Sequence, residues 1–249
     1  GEAPVETTVG VFEDIAATLM LDMDSETAKQ EVTVKNFVDG DTIHFYVPES
    51  VMADGVLKAR FLAVNTPEST GKIEEYGKAA SNYTKEKLSA ATSILIESET
   101  AGWNPDSTGD RYLVWVWYKS AEDQAYKNLN VELLQEGLAR PNSSSENRYG
   151  DTCMAAIAEA KNWKKNLHSG EPDPDYYYGD AVELTLRELR TNIADYSGMK
   201  VAFSGIVTAN SGQFNCAHVG DDGHTPLHLI EYDADGSIIG GLLGGTYWL

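Results

Sequence analysis

Basic residues are scarce in this sequence. Nineteen Lys and Arg stand against 39 Asp and Glu, a formal charge of −20, which repels a polyanion at long range and argues against tight, non-specific binding to nucleic acid. Cysteine is nearly absent. Cys153 and Cys216 are the two in 249 residues, too few and too far apart for a disulfide framework or for Cys-x-x-Cys zinc spacing; they read as buried or idle thiols. Also missing is any apolar run long enough to cross a bilayer, the longest being residues 112–118 and a glycine-broken tail from Ile238. No membrane span is expected.

What is present suffices for a core. Hydrophobic residues make up 42% of the chain, enough for one or two globular domains. Residues 1–8 read as the polar stalk left after an export signal is removed, so a secreted or surface-held protein is expected. Residues 1–29 as a whole read as a partly flexible extension.

Alternation over residues 31–37 and 42–47, joined through Val38-Asp39-Gly40-Asp41, predicts a hairpin, because Asp-Gly is a strong turn signal. A further strand is predicted over 57–64, broken by Asn65-Thr66-Pro67, since proline donates no ladder hydrogen bond and restricts the residue before it. Good helix formers fill 74–91, with Ala79, Tyr83 and Leu88 able to share a face. Residues 93–97 and the aromatic run 112–118 predict strands, the second buried. A short helix over 130–135 closes at Gly137, and Asp151 is placed to cap a helix reaching about Leu167. Five strands and three helices result. The segment 171–180, with two prolines and no periodicity, reads as a linker between a first domain over 30–170 and a small β-rich module over 181–249. In that module a short helix is predicted over 185–193 and a strand over 200–208; the glycine-rich end suggests either a barrel strand or a truncated domain.

Hydrolysis of a phosphodiester needs a hard cation or strong donors on the phosphate oxygens, a carboxylate to activate water and stabilisation of the developing charge. Three segments offer these parts: the turn Asp39-Gly40-Asp41, the stretch from Arg60 through Asn65-Thr66-Pro67-Glu68, and Arg111 at the mouth of the aromatic strand. On a continuous strand, Arg60, Leu62 and Val64 would share one face and Phe61, Ala63 and Asn65 the other. Arginine suits the cationic roles because its planar fork holds two phosphate oxygens and stays charged. Taken singly, Asp39-Gly40-Asp41 is only a hairpin turn and Arg60 an exposed strand charge; their weight comes from standing in register with Glu68 and Arg111. Trp103, Trp115 and Trp117 suggest a base-stacking platform, but at least one of Trp115 and Trp117 is expected in the core. His218, His224 and His228 read as ordinary polar residues.

The segments VDGDTI, RFLAVNTPE, EEYGKAASNYTKEKL, RYLVWVWY and NLNVELLQEGLAR resemble, in order, the staphylococcal nuclease (thermonuclease) family across residues 30–168. The resemblance implies an α+β fold, a five-stranded OB barrel with three helices. It also implies a monomeric, calcium-dependent nuclease acting on DNA and perhaps RNA. Carried over by position, it makes Asp41, Asn65 and Thr66 (through its backbone carbonyl) the calcium ligands, Glu68 the water-activating carboxylate, and Arg60 and Arg111 the phosphate-stabilising arginines. Asn65 stands where the family's best-known member has aspartate. Asp-Ser-Thr-Gly-Asp precedes Arg111 in place of Asp-Lys-Tyr-Gly, and the tyrosine pair that flanks the terminal phosphate has no counterpart in residues 140–146. The second module resembles the opening of another OB-type fold. A nuclease-fold binding module with little or no activity is the rival reading, motivated by the acidic surface, Asn65 and the missing tyrosines.

Overall fold

The computed structural model describes residues 11–70, 73–196 and 199–203, together with the backbone of the strands Ile206–Ser211, Cys216–Gly220, Leu227–Tyr232, Ile238–Gly240 and Tyr247–Trp248. Five strands carry the first domain: β1 (Lys29–Phe37), β2 (Thr42–Tyr46), β3 (Val56–Phe61), β4 (Ser93–Glu97) and β5 (Tyr112–Lys119). β1 lies antiparallel between β2 and β4, β2 pairs with β3, and β4 with β5. The sheet closes where β3 runs parallel to β5, Arg60 opposite Leu113. A five-stranded barrel with helices packed on it is the result, as expected.

Alternation in β2 and β3 sends Ile43, Phe45, Leu57, Ala59 and Phe61 into the interior, each 1% exposed or less. Burying each of the larger ones contributes about 1.5–3 kcal/mol. β4 and β5 are instead buried almost throughout, including both Trp115 and Trp117, against whose rings Tyr149 packs edge-on. The tryptophans are therefore core, not platform.

The helices are α1 (Ile15–Thr18), α2 (Gly77–Ser89), α3 (Leu129–Gln135) and α4 (Gly150–Asn162). α1 falls in the segment expected to be flexible, yet the N–H of its Ala16 donates to Gln135 Oε1 at 2.9 Å and Phe12 packs edge-on against Trp163. α2 buries Ala80, Thr84 and Leu88, so its inner face is rotated from the Ala79–Tyr83 stripe read from the sequence. α3 is wedged beside β5, where Asn130 receives the N–H of Val116 at 2.9 Å and donates to the carbonyls of Leu62 and Val114. Gly137, at φ +64°, ends it; a Cβ there would lie 2.4 Å from the Lys165 carbonyl oxygen. α4 stops at Asn162, earlier than the predicted end, and Asp151 lies within its first turn and is not its cap.

One departure shapes the site. The strand predicted over 57–64 ends at Phe61, and Ala63 takes φ +66°, a region that residues with a Cβ rarely occupy. Its carbonyl is held by the Asn142 N–H at 3.2 Å and the Ser144 hydroxyl at 2.5 Å. The chain turns there and resumes as the two-residue strand Val64–Asn65 against Arg140–Pro141. The two-face alternation expected across 60–65 therefore does not hold, and Asn65 comes round to meet Arg60.

Beyond residue 180, helix α5 (Leu186–Thr191) is capped by Thr185 in a reciprocal box with Glu188. Lys200–Ala202 pairs with Val182–Glu183 and with Tyr247–Trp248, while Ile206–Ser211 opens a separate antiparallel meander of four strands. The single strand predicted over 200–208 is thus two. His218 and His228 stand opposite one another across that meander, and His224 lies outside the described residues.

Candidate active site

The turn between β1 and β2 is closed by the N–H groups of Val38 and Asp39, both donating to the Thr42 carbonyl at 3.1 and 3.0 Å. Glycine is required at its apex: a Cβ on Gly40 would sit 2.9 Å from the Thr66 side chain. The Gly40 carbonyl accepts from the Thr84 hydroxyl at 2.6 Å, which pins the turn to α2. So held, Asp41 is fully buried. One of its carboxylate oxygens accepts the Thr66 N–H at 2.7 Å, and the other is bound by Arg60 Nη1. Burial pushes this carboxyl above its ordinary range, against the pull of Arg60 and the Thr66 N–H.

Arg60 lies on β3 directly opposite Thr42. Its guanidinium joins two segments: Nη1 reaches Asp41 and the Thr42 hydroxyl, and Nη2 donates to Asn65 Oδ1 at 2.5 Å. Glu68, two residues beyond Thr66, is half-buried. Its carboxyl is pushed up to about 7, first by burial, then by its hydrogen bond with Asp39 and by the charges of Asp39 and Asp41, with Arg60 pulling the other way. Asp39, 2% exposed, also receives the N–H and hydroxyl of Ser69. The sequence offered Asp39 as one of the carboxylates of the turn but gave it no role of its own; the structure makes it the second buried carboxylate of the cluster.

Five of the six predicted residues, Asp41, Arg60, Asn65, Thr66 and Glu68, thus gather at one end of the barrel. Arg111 stands just ahead of β5, two residues before Leu113, the strand partner of Arg60. Its Nε donates to Asp106 Oδ2 at 2.7 Å. Asp106 is raised by burial but held below its ordinary range on balance, by hydrogen bonds from Thr108 and Arg111. No contact joins Arg111 to Glu68 or Arg60 among the described interactions; Asp106 is a partner that the sequence reading missed, although it opens the Asp-Ser-Thr-Gly turn five residues upstream.

Do these residues fit a metal ion? The potential donors are all oxygens, the chemistry a hard cation such as calcium prefers. Thr66 Oγ1 is buried without a hydrogen-bond partner, and Asp41 is a fully buried carboxyl whose charged form demands a positive neighbour. Arg60 meets that demand in this structure. Among the described residues no cluster of three or more His, Cys, Asp or Glu is disposed to hold a metal; the set here is a carboxylate, an amide oxygen and a main-chain oxygen. The donors fit calcium in kind, with one formal charge fewer for Asn65 than an aspartate would supply.

Residues 58–170 match the family model described as staphylococcal nuclease homologue. A stretch of 111 residues, 43% of this chain, is 37% identical to a thermonuclease of Staphylococcus intermedius. The match spans 56% of that relative, a little over half its length. Over residues 58–170 the chain is therefore similar to the staphylococcal nuclease family. The family match begins at residue 58, and the barrel pairing of β2 with β3 is what joins the Asp39–Asp41 turn to it. Among the described residues no helix is long and apolar enough to cross a membrane.

Proposed function

We propose that the staphylococcal-nuclease-like domain is a secreted, calcium-dependent nuclease that hydrolyses phosphodiester bonds of DNA, with RNA the further candidate substrate. The observation that supports it most is the convergence of Arg60, Asp41, Asn65 and Glu68 on one barrel end, with a single guanidinium touching both Asp41 and Asn65. Asp41, Asn65 through its amide oxygen and Thr66 through its main-chain carbonyl would hold calcium, which when bound supplies positive charge to the phosphate oxygens.

Glu68 takes the proton of the attacking water. A carboxylate whose conjugate acid titrates near 7 is a better base than an ordinary glutamate, and the same burial that raises it limits competing water. Arg60 and Arg111 stabilise the five-coordinate phosphate as negative charge builds on its equatorial oxygens. The bond from the water oxygen to phosphorus forms as that to the leaving oxygen breaks, and the leaving oxygen takes a proton from solvent. Arg60 must turn from Asp41 and Asn65 toward substrate, and Arg111 must present its Nη edge to substrate while its Nε stays on Asp106. With Asn65 in place of a carboxylate, the calcium requirement should lie in the weak extracellular range of about 10⁻⁴ to 10⁻³ M.

Single-turnover and steady-state hydrolysis by Arg60→Ala, Arg111→Ala and Glu68→Gln tests this reading. Each should lower kcat on the order of 10² to 10³-fold, with Arg→Lys failing to rescue because an ammonium cannot reproduce the two-pronged contact. Parental rates in all three folded variants would reject it. The second reading, a binding module without turnover, draws on Arg60 already neutralising the Asp41 site; it predicts DNA retention without cleavage.

A further inference from the structure

The segment that reads as a linker is packed into the first domain. Asp173 is 4% exposed, and its Oδ2 accepts the main-chain N–H of Tyr76 at 2.6 Å, across 97 residues of sequence. Its other oxygen accepts the Asp175 N–H at 2.9 Å, and its own N–H donates to the Tyr178 hydroxyl at 2.7 Å. Tyr76 answers in kind: its ring is buried and its hydroxyl donates to the Glu171 carbonyl at 2.8 Å, with Ser169 Oγ 3.1 Å away.

Tyr76 is the N-terminal cap residue of α2, and it is ill suited to the task. It sits at φ +64°, its side chain bonds no helix N–H, and the first turn of α2 has no acidic residue. A bulky residue in the left-handed region is held there only by its surroundings, and a helix start without an acceptor leaves N–H groups orphaned. Asp173 supplies both the acceptor and the negative charge that favours a helix N-terminus.

What this start touches gives the contact its consequence. Gly77 is pressed against the backbone of Glu68 so closely that a Cβ would lie 2.0 Å from the Glu68 carbonyl oxygen. That same oxygen accepts the Glu74 N–H at 2.9 Å, and the Glu74 carboxylate returns to the Glu68 N–H at 3.2 Å while bound by Arg140 at 3.1 Å. A chain of short contacts therefore runs from Asp173 through Tyr76 and Gly77 to the backbone that carries Glu68. We infer that Asp173 is a positioning residue: from beyond the barrel it fixes the start of α2 and, through it, Glu68, so that residues 169–178 belong to the working enzyme. The inference rests on Glu68 being the base.

The test uses the full chain and compares the parent with Asp173→Ala, Asp173→Asn, Glu68→Gln and the double variant Asp173→Ala with Glu68→Gln. In Asp173→Ala, amide hydrogen exchange over residues 73–80 should accelerate while the amides of β4 and β5 keep parental protection. Its kcat should fall on the order of 10- to 10²-fold, the scale of a small misplacement of a reacting group, with KM little changed. Asp173→Asn keeps an oxygen for the Tyr76 N–H and should restore most of both. In the Glu68→Gln background, Asp173→Ala should lower the residual rate no further, since two groups acting through one step are not additive. Tyr76→Phe, which removes only the hydroxyl bonds to residues 169–171, should move the same amides and kcat less far and serves if Asp173→Ala does not fold. Unchanged exchange and rate in Asp173→Ala, or losses that multiply with Glu68→Gln, would overturn the inference. A parental rate in Glu68→Gln would instead sink the base assignment, and this inference with it.

Discussion

The two ends of β1 each lead to a completely buried carboxylate, and they differ in what neutralises it. At the Lys29 end, Glu97 accepts from Thr27, Trp117 Nε1, Tyr149 and Arg148, with Lys29 Nζ 3.8 Å away. Its neighbour Glu99 takes the Trp115 indole at 2.6 Å. Two carboxylates there face two cations, Lys29 and Arg148. Beyond Phe37, at the other end, Arg60 binds Asp41 and pulls on Glu68, and Asp39 accepts from Gly40 and Ser69; among the described residues Arg60 is the cation that faces this group. Burial of a carboxylate therefore does not mark a functional site, because a fully partnered one is a strut. On the proposed reading, the cluster in which one carboxyl is pushed up to about 7 is where a cation and a proton would be held.

The contrast breaks most visibly when each end is damaged in turn. Glu97→Ala should cost stability, about 3–5 kcal/mol for stranding buried cations and donors, with kcat per folded molecule near the parental value. Glu68→Gln should do the reverse, lowering kcat on the order of 10² to 10³-fold with little change in Tm. Denaturant melts read beside active-site-normalised rates separate the two, and equal activity losses at both ends would erase the distinction.

A smaller effect is expected from Asn65→Asp. It returns a charge to the already negative end, so half-maximal activity should need less calcium, and the metal-free chain should be less stable than the parent. An unchanged calcium titration would remove Asn65 from the ligand set.

The smallest effect is a titration. In the calcium-free chain Glu68 is raised from its ordinary value of 4.5 to about 7. A raised carboxyl holds its proton in the folded state while the unfolded chain has already lost its own, so the stability it contributes is fully present below 4.5 and is lost as pH rises through about 7. Carbon NMR of the Glu68 carboxyl should show that late inflection, and Glu68→Gln should flatten the matching slope in stability. By the same sign, hydrolysis should weaken toward acid, where the base is protonated. An inflection in the ordinary glutamate range would place Glu68 in open water.

Where chemistry is local, the sequence was legible. Asp39-Gly40-Asp41 dictates its turn through glycine and short carboxylates, and the β-branched and aromatic run of β5 dictates a buried strand. The break at Leu62-Ala63 was not legible, because neither residue signals a left-handed turn; it is imposed from outside by Asn142 and Ser144. That break brings Asn65 to Arg60, so the candidate residues could be named from the resemblance of their motifs but their arrangement could not. The rotated face of α2 has a similar cause, since Thr84 is drawn inward by the Gly40 carbonyl. Asp173 lay beyond any local signal, in a stretch whose prolines and lack of periodicity describe a connector.

The most direct test of the claim that the unbalanced end of the barrel is a calcium-dependent phosphodiesterase site is the hydrolysis rate of a single-stranded DNA oligonucleotide by the full chain, in millimolar calcium and in excess chelator. The account predicts turnover with calcium, its loss on chelation and its return when calcium is restored. Turnover indifferent to chelator, or DNA bound and left uncut in calcium, would contradict it.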